Sequence, residues 1–184
     1  MSSKDLRRMI LAAMFLALAL VLPFLTGQIK EIGNALCPMH IPVLLCGFFC
    51  GPWYGLLIGA IAPLLRFILF GMPVLMPTGL AMCFELAAYG LAAGFLYSLL
   101  PKKKPHIYVS LTGAMLFGRL VWGIACVVLM SLGKAPFSFS AFLSGAFLNA
   151  IPGIIVQFAL IPPLVMTLRP DGKSRSGAAP GNKK

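Results

Sequence analysis

"GPWYGLLIGAIAPLLRFILFG", Gly51 to Gly71, is apolar from Trp53 to Phe70 except for a single arginine, Arg66. A Gly-Pro pair opens it and a glycine closes it, so the run is punctuated as one helix. About 20 apolar residues are what a helix needs to cross a hydrocarbon layer roughly 30 Å thick. Comparable runs recur along the chain: roughly Met9–Thr26, a short Pro-led Ile41–Cys50, Trp53–Phe70, Thr78–Leu100, Ile107–Leu132 and Ser140–Leu168. The expectation is an all-α, polytopic membrane protein built as a six-transmembrane-helix bundle over residues 1–169. A polar, basic tail over 170–184, rich in Gly, Ser and Lys, is expected to be disordered.

Composition agrees. Of 184 residues 60% are hydrophobic and only 10% charged, with a mean hydropathy of +0.96. Soluble domains are about a quarter charged, so this chain could not cover its own surface in water. Basic residues precede the first run as in a signal peptide, but no small-residue cleavage pattern follows, and the run reads as a retained helix. The net charge of +11 does not point to nucleic acid, because the basic residues are dispersed over termini and loops. They follow topology instead. With the N-terminus inside, 11 of the 15 basic residues fall on cytoplasmic segments, among them Arg7, Arg8, Lys102, Lys103, Lys104 and Arg169. Only Lys30 and Lys134 fall outside, so six spans with both termini cytoplasmic satisfy the positive-inside rule.

The two remaining basic residues, Arg66 and Arg119, lie inside spans, as does Glu85 in "MCFELAAYG". This topology puts Arg66 one helical turn below the outer end of its span. Glu85 then lies about 10 Å deep, Arg119 near the middle, and Asn149 about 13 Å down the last span. A charge facing lipid costs about 2.5–3.5 kcal/mol or more, so these groups are expected to face one another or a wet cavity. A purely structural role is one reading: Glu85 pairs with one arginine and pins helices together. Two arginines against one glutamate leave a cation over, however, and an unpaired buried charge is the costly case. A small carboxylate arriving from outside would neutralise it, and a guanidinium fork suits a carboxylate. His40 at the mouth of the second span and Asn34 in the first outer loop are softer candidates for the same pocket. Tyr89, Trp122 and Phe147 read as packing residues. Pro152 and Gly153, after Asn149, are expected to interrupt the sixth helix where backbone lines a cavity.

Other chemistry is missing. Four of the five cysteines lie in apolar runs, and Cys46 and Cys50 have no His or carboxylate at ligand spacing, so neither a metal site nor any cofactor is expected. There is no membrane-metalloprotease set, no GxSxG and no Walker sequence. One intramembrane acid supports a proton relay poorly. Solute binding without catalysis is the role left. Ala13 and Ala17, like Gly55 with Gly59 and Gly90 with Gly94, are four apart and permit close helix contact with an internal or external partner.

The stretch "PMHIPVLLCGFFCGPWYGLLIGAIAPLLR", Pro38 to Arg66, resembles the second-to-third-helix region of the substrate-binding S components of energy-coupling factor (ECF) vitamin transporters. His-Ile-Pro leading to a Gly-Pro-x-x-Gly turn carries the resemblance, together with chain size and span number. The resemblance implies a six-helix bundle in a prokaryotic plasma membrane, with a pocket near its outer face for a vitamin or vitamin precursor. It also implies partners, a transmembrane coupling subunit and two ATPase subunits, with Ala13 and Ala17 matching the alanines that meet the coupling subunit. His-Ile-Pro looks most like the pantothenate-type branch. Hydroxymethylpyrimidine, pyridoxine, folate and queuosine-precursor branches share the architecture. The rivals from other classes are a non-transporting membrane scaffold subunit and a stand-alone secondary carrier.

Overall fold

The computed structural model describes residues 3–25, 38–71, 74–101, 104–132 and 151–168. Six α-helices run through them: α1 Ser3–Leu25, α2 His40–Cys50, α3 Pro52–Phe70, α4 Leu80–Leu99, α5 Lys104–Leu132 and α6 Ile151–Leu168. A π-type turn, Leu75–Gly79, with extended backbone at Met76, leads into α4. Among the described residues, five helices are long and apolar enough to cross a membrane, and α2 is the exception. The tail from Pro170, the expected sixth-span residues before Ile151, Asn34 and Asn149 lie outside the described residues. Within α6, Pro152 and Gly153 are helical, so the expected interruption does not fall on them.

The Gly51 turn does what its sequence requires. Gly51 has φ of 105°, a conformation closed to side chains, and Pro52 occupies the first turn of α3, where its missing N–H costs nothing. The Gly51 N–H bonds the Gly47 carbonyl and the Gly51 carbonyl accepts from Gly55, closing both helix ends on one residue. At the far end of α3, Gly71 caps the helix in the left-handed conformation at φ of 69°.

Contacts across the bundle fix the helix directions. Gly55 meets Gly90, and Gly59 meets Leu86, so α3 and α4 are antiparallel with backbones touching; a Cβ at Gly90 would collide with the Gly55 carbonyl. Gly113 against Leu96, and Gly118 against Tyr89, set α5 antiparallel to α4. The end of α1 stays level with the end of α3, where Phe24 packs edge-on against Phe70 at 4.8 Å. The chain therefore alternates direction at each of the first five helices, even through the short α2.

The 11 residues of α2 rise only about 16 Å. All but Phe49 are buried. A helix apolar on every side belongs in a core, and α2 forms it. Leu44, Leu45 and Phe48 pack with Tyr89, Tyr97, Leu111 and Ile161 on one side. Val43, Cys46 and Cys50 pack with Ala12, Ala62 and Leu86 on the other. The outward faces of α1, α3, α5 and α6 carry exposed apolar side chains such as Met14, Ile68, Leu116 and Ile155, as lipid contact requires.

Candidate functional site

Because α2 starts part-way down the bundle, its first residue is not at a mouth. His40 is only 3% exposed and faces Glu85, itself 2% exposed, from across the α2–α4 contact. Glu85 is the sixth residue of α4, about 8 Å from its start. From α5, Arg119 Nη1 reaches Glu85 Oε1 at 3.1 Å. His40 Nε2 lies 3.6 Å from the same oxygen. Three helices thus send an acid, a base and a cation to one point in an apolar interior. Tyr89, one turn after Glu85 on the same face, packs edge-on against the His40 ring at 5.1 Å and holds it upright.

The arrangement is short of hydrogen bonds. Among the described residues, neither ring nitrogen of His40 has a hydrogen-bond partner, and Glu85 Oε1 is held by charge without a well-formed hydrogen bond. Buried polar atoms are nearly always bonded, so such a gathering needs an explanation. Chemically, it offers a carboxylate, an imidazole that can donate or accept, and a guanidinium with five donors on a rigid fork.

Arg66 does not join them. Its guanidinium turns to α1, donating to the Leu20 carbonyl at 3.2 Å, and lies against the rings of Phe24 and Phe70 at 5.5 and 5.9 Å. Of the six expected pocket residues, His40, Glu85 and Arg119 come together, Arg66 stands apart, and Asn34 and Asn149 lie outside the described residues. Ala13 and Ala17 are exposed on α1, whereas Ala12 and Ala19 make its internal contacts.

Sequence reasoning passed over Ser110 and Gln157, which are fully buried on α5 and α6 with Ser110 Oγ and Gln157 Oε1 unbonded among the described residues. Gln157 had a visible signal, as the one amide in "IPGIIVQFALIPPLV". Reasoning also read Tyr89 as packing alone, although its spacing from Glu85 places both on one face. An open cleft of about 330 Å³ lies at the opposite end of the bundle, against the Gly51 turn, lined by Arg8, Trp53, Gly94, Tyr97 and Ser98 among others. Among its described lining residues Arg8 is the one charged group, and none of the converging chemistry is there, so the polar cluster is the better candidate site.

The family model for "ECF transporter, substrate-specific component" matches residues 7–165. No curated protein and no solved structure matches the chain.

Proposed function

The chain belongs to the substrate-specific components of ECF transporters, and from that membership we propose that the His40–Glu85–Arg119 cluster is where its substrate binds. The family is one of transporters, not enzymes, and implies a small-molecule substrate and ECF-module partners in the membrane. The observation that carries the assignment is a buried carboxylate oxygen shared by an arginine and a histidine, with both histidine nitrogens unbonded among the described residues. A polar ligand supplies the missing hydrogen bonds, and a few convergent polar groups in apolar walls are what such pockets use for selectivity.

The roles follow from the chemistry. Glu85 fixes one edge of the Arg119 fork. The guanidinium itself is a fork of donors suited to an anionic or strongly accepting group. His40 bonds a hydroxyl or amide of the ligand. Asn34 and Asn149 would complete the pocket. The substrate is a vitamin or vitamin precursor, and pantothenate, with one carboxylate plus hydroxyls and an amide, fits these roles and the His-Ile-Pro resemblance. By the charge count both termini are cytoplasmic, which puts the cluster in the outer half of a prokaryotic plasma membrane. Partners would be a coupling subunit docking on the exposed Ala13–Ala17 face of α1 and two ATPases powering release.

The test is equilibrium binding of radiolabelled pantothenate to the purified chain. Wild type should bind, and Arg119→Gln and His40→Ala should each weaken binding tenfold or more, about 1.4 kcal/mol. Binding of pantothenate unchanged in both variants overturns the site. No binding by wild type overturns the substrate and moves the other precursors forward.

A further inference from the structure

Arg66 is buried, 8% exposed, yet among the described residues no carboxylate lies within ion-pair distance of it, since Glu85 is taken by Arg119 and His40. Its neighbours are the Leu20 carbonyl and two aromatic faces. A carbonyl and ring quadrupoles orient a guanidinium and ease its burial, but they do not neutralise it. Its spare donors are not sealed off: none of the buried, unbonded side-chain atoms belongs to Arg66, unlike those of His40 and Glu85. The fork is therefore held in place by α1 and α3 while part of it stays accessible.

Its position selects the anion. Arg66 is four residues before Phe70, the last residue of α3, so its Cα lies about 6 Å from that helix end, within reach of the headgroup layer for a long side chain. The two rings beside it are 39% and 44% exposed for Phe24 and Phe70, and Ile68 and Leu69 next to them are more exposed still. Exposed apolar side chains so near a helix end meet the upper part of the lipid tails, just below the headgroups. The glycine register of α3 on α4 also sets Arg66 about 9 Å further along the bundle than Glu85, on the side turned to α1 rather than to α5.

We propose that Arg66, with Phe24, Phe70 and the Leu20 carbonyl, forms an oxyanion site at the rim of the bundle that holds the phosphate of a membrane phospholipid. A planar fork matches a phosphodiester through two parallel hydrogen bonds, and the two rings flank the upper acyl chain. The lipid ties the ends of α1 and α3 together at the edge of the bundle that carries the substrate cluster. The site is independent of the substrate assignment.

Native mass spectrometry of the full chain tests this, with titration by phosphatidylglycerol, phosphatidylcholine and, as the phosphate-free probe, diacylglycerol of the same chains. Both phospholipids should be retained and diacylglycerol should not. Arg66→Gln should cut retention at least tenfold, and Arg66→Lys, which keeps the charge but loses the fork, by less. Circular dichroism checks that both variants are helical; if Arg66→Gln does not fold, Phe24→Ala with Phe70→Ala takes its place and should also lower retention. Equal retention of diacylglycerol, or of phospholipid by the variants, overturns the proposal. So does displacement of the lipid by millimolar inorganic phosphate, which would mark a site for a soluble anion. Loss of pantothenate binding in Arg66→Gln with lipid retention intact would return Arg66 to the substrate and likewise overturn it.

Discussion

Glu85, buried, faces the half-buried Arg119 at 3.1 Å. Such a pair adds little net stability over an apolar core, but removing one partner strands the other, a loss of about 3–5 kcal/mol. Glu85→Gln should therefore lower the thermal midpoint in detergent clearly, and Glu85→Gln combined with Arg119→Gln should recover part of the loss. Additive losses in the double variant would show that the two groups do not share one interaction. His40 behaves differently. Among the described residues it makes no hydrogen bond, so His40→Gln, which largely keeps its bulk, should change stability much less than Glu85→Gln while weakening ligand binding, and comparing the two readouts separates a binding role from a packing role. The convergence of these groups was partly legible in the sequence: their depths along the spans followed from the charge count. Which arginine took Glu85 was not, because that depends on how far α3 turns toward α1, and no spacing within one helix encodes it.

The helices are held at their distances by glycines rather than by large side chains. Gly55 and Gly90 touch backbone to backbone, and neither can yield to a methyl group. Gly90→Ala should cost on the order of 1–3 kcal/mol by overpacking, read as a lower unfolding midpoint. Because it shifts α4 against α3, it should also displace Glu85 and weaken ligand binding; an unaltered midpoint would mean the helices do not meet as described. Gly51→Ala acts by conformation instead: at φ of 105° and ψ of 175° there is open space for a methyl group, but this glycine-only region costs a side chain on the order of 1–3 kcal/mol. The Gly-Pro signal of this turn, the bounds of α3 and α4 to within two residues and the Gly55–Gly59 and Gly90–Gly94 spacings were readable beforehand, whereas α1 starts six residues before the expected Met9. The depth of α2 was not. Its 11 residues could be read as a short span with His40 at the mouth, and only packing against α4 and α5 shows that His40 starts inside the core.

On the proposed reading, the whole molecule presents two surfaces with different tasks. Exposed Ala13 and Ala17 interrupt the bulky apolar cover of α1 beside Met14 and Leu18, and small residues let another helix come close. Ala13→Leu with Ala17→Leu should leave pantothenate affinity of the isolated chain unchanged but abolish co-purification with the coupling subunit and ATP-driven uptake. Loss of affinity in the isolated chain would place this face inside the binding machinery instead. On the proposed reading the bundle captures a small solute through His40, Glu85 and Arg119. The most direct measurement is thermal stability of the purified chain against pantothenate, hydroxymethylpyrimidine, pyridoxine, folate and a queuosine precursor, for wild type and Arg119→Gln in parallel. One compound, at about 100 times its dissociation constant, should stabilise wild type by about 2.7 kcal/mol and leave Arg119→Gln unmoved. A shift of the same size in both proteins, or none in wild type with any compound, would contradict that reading.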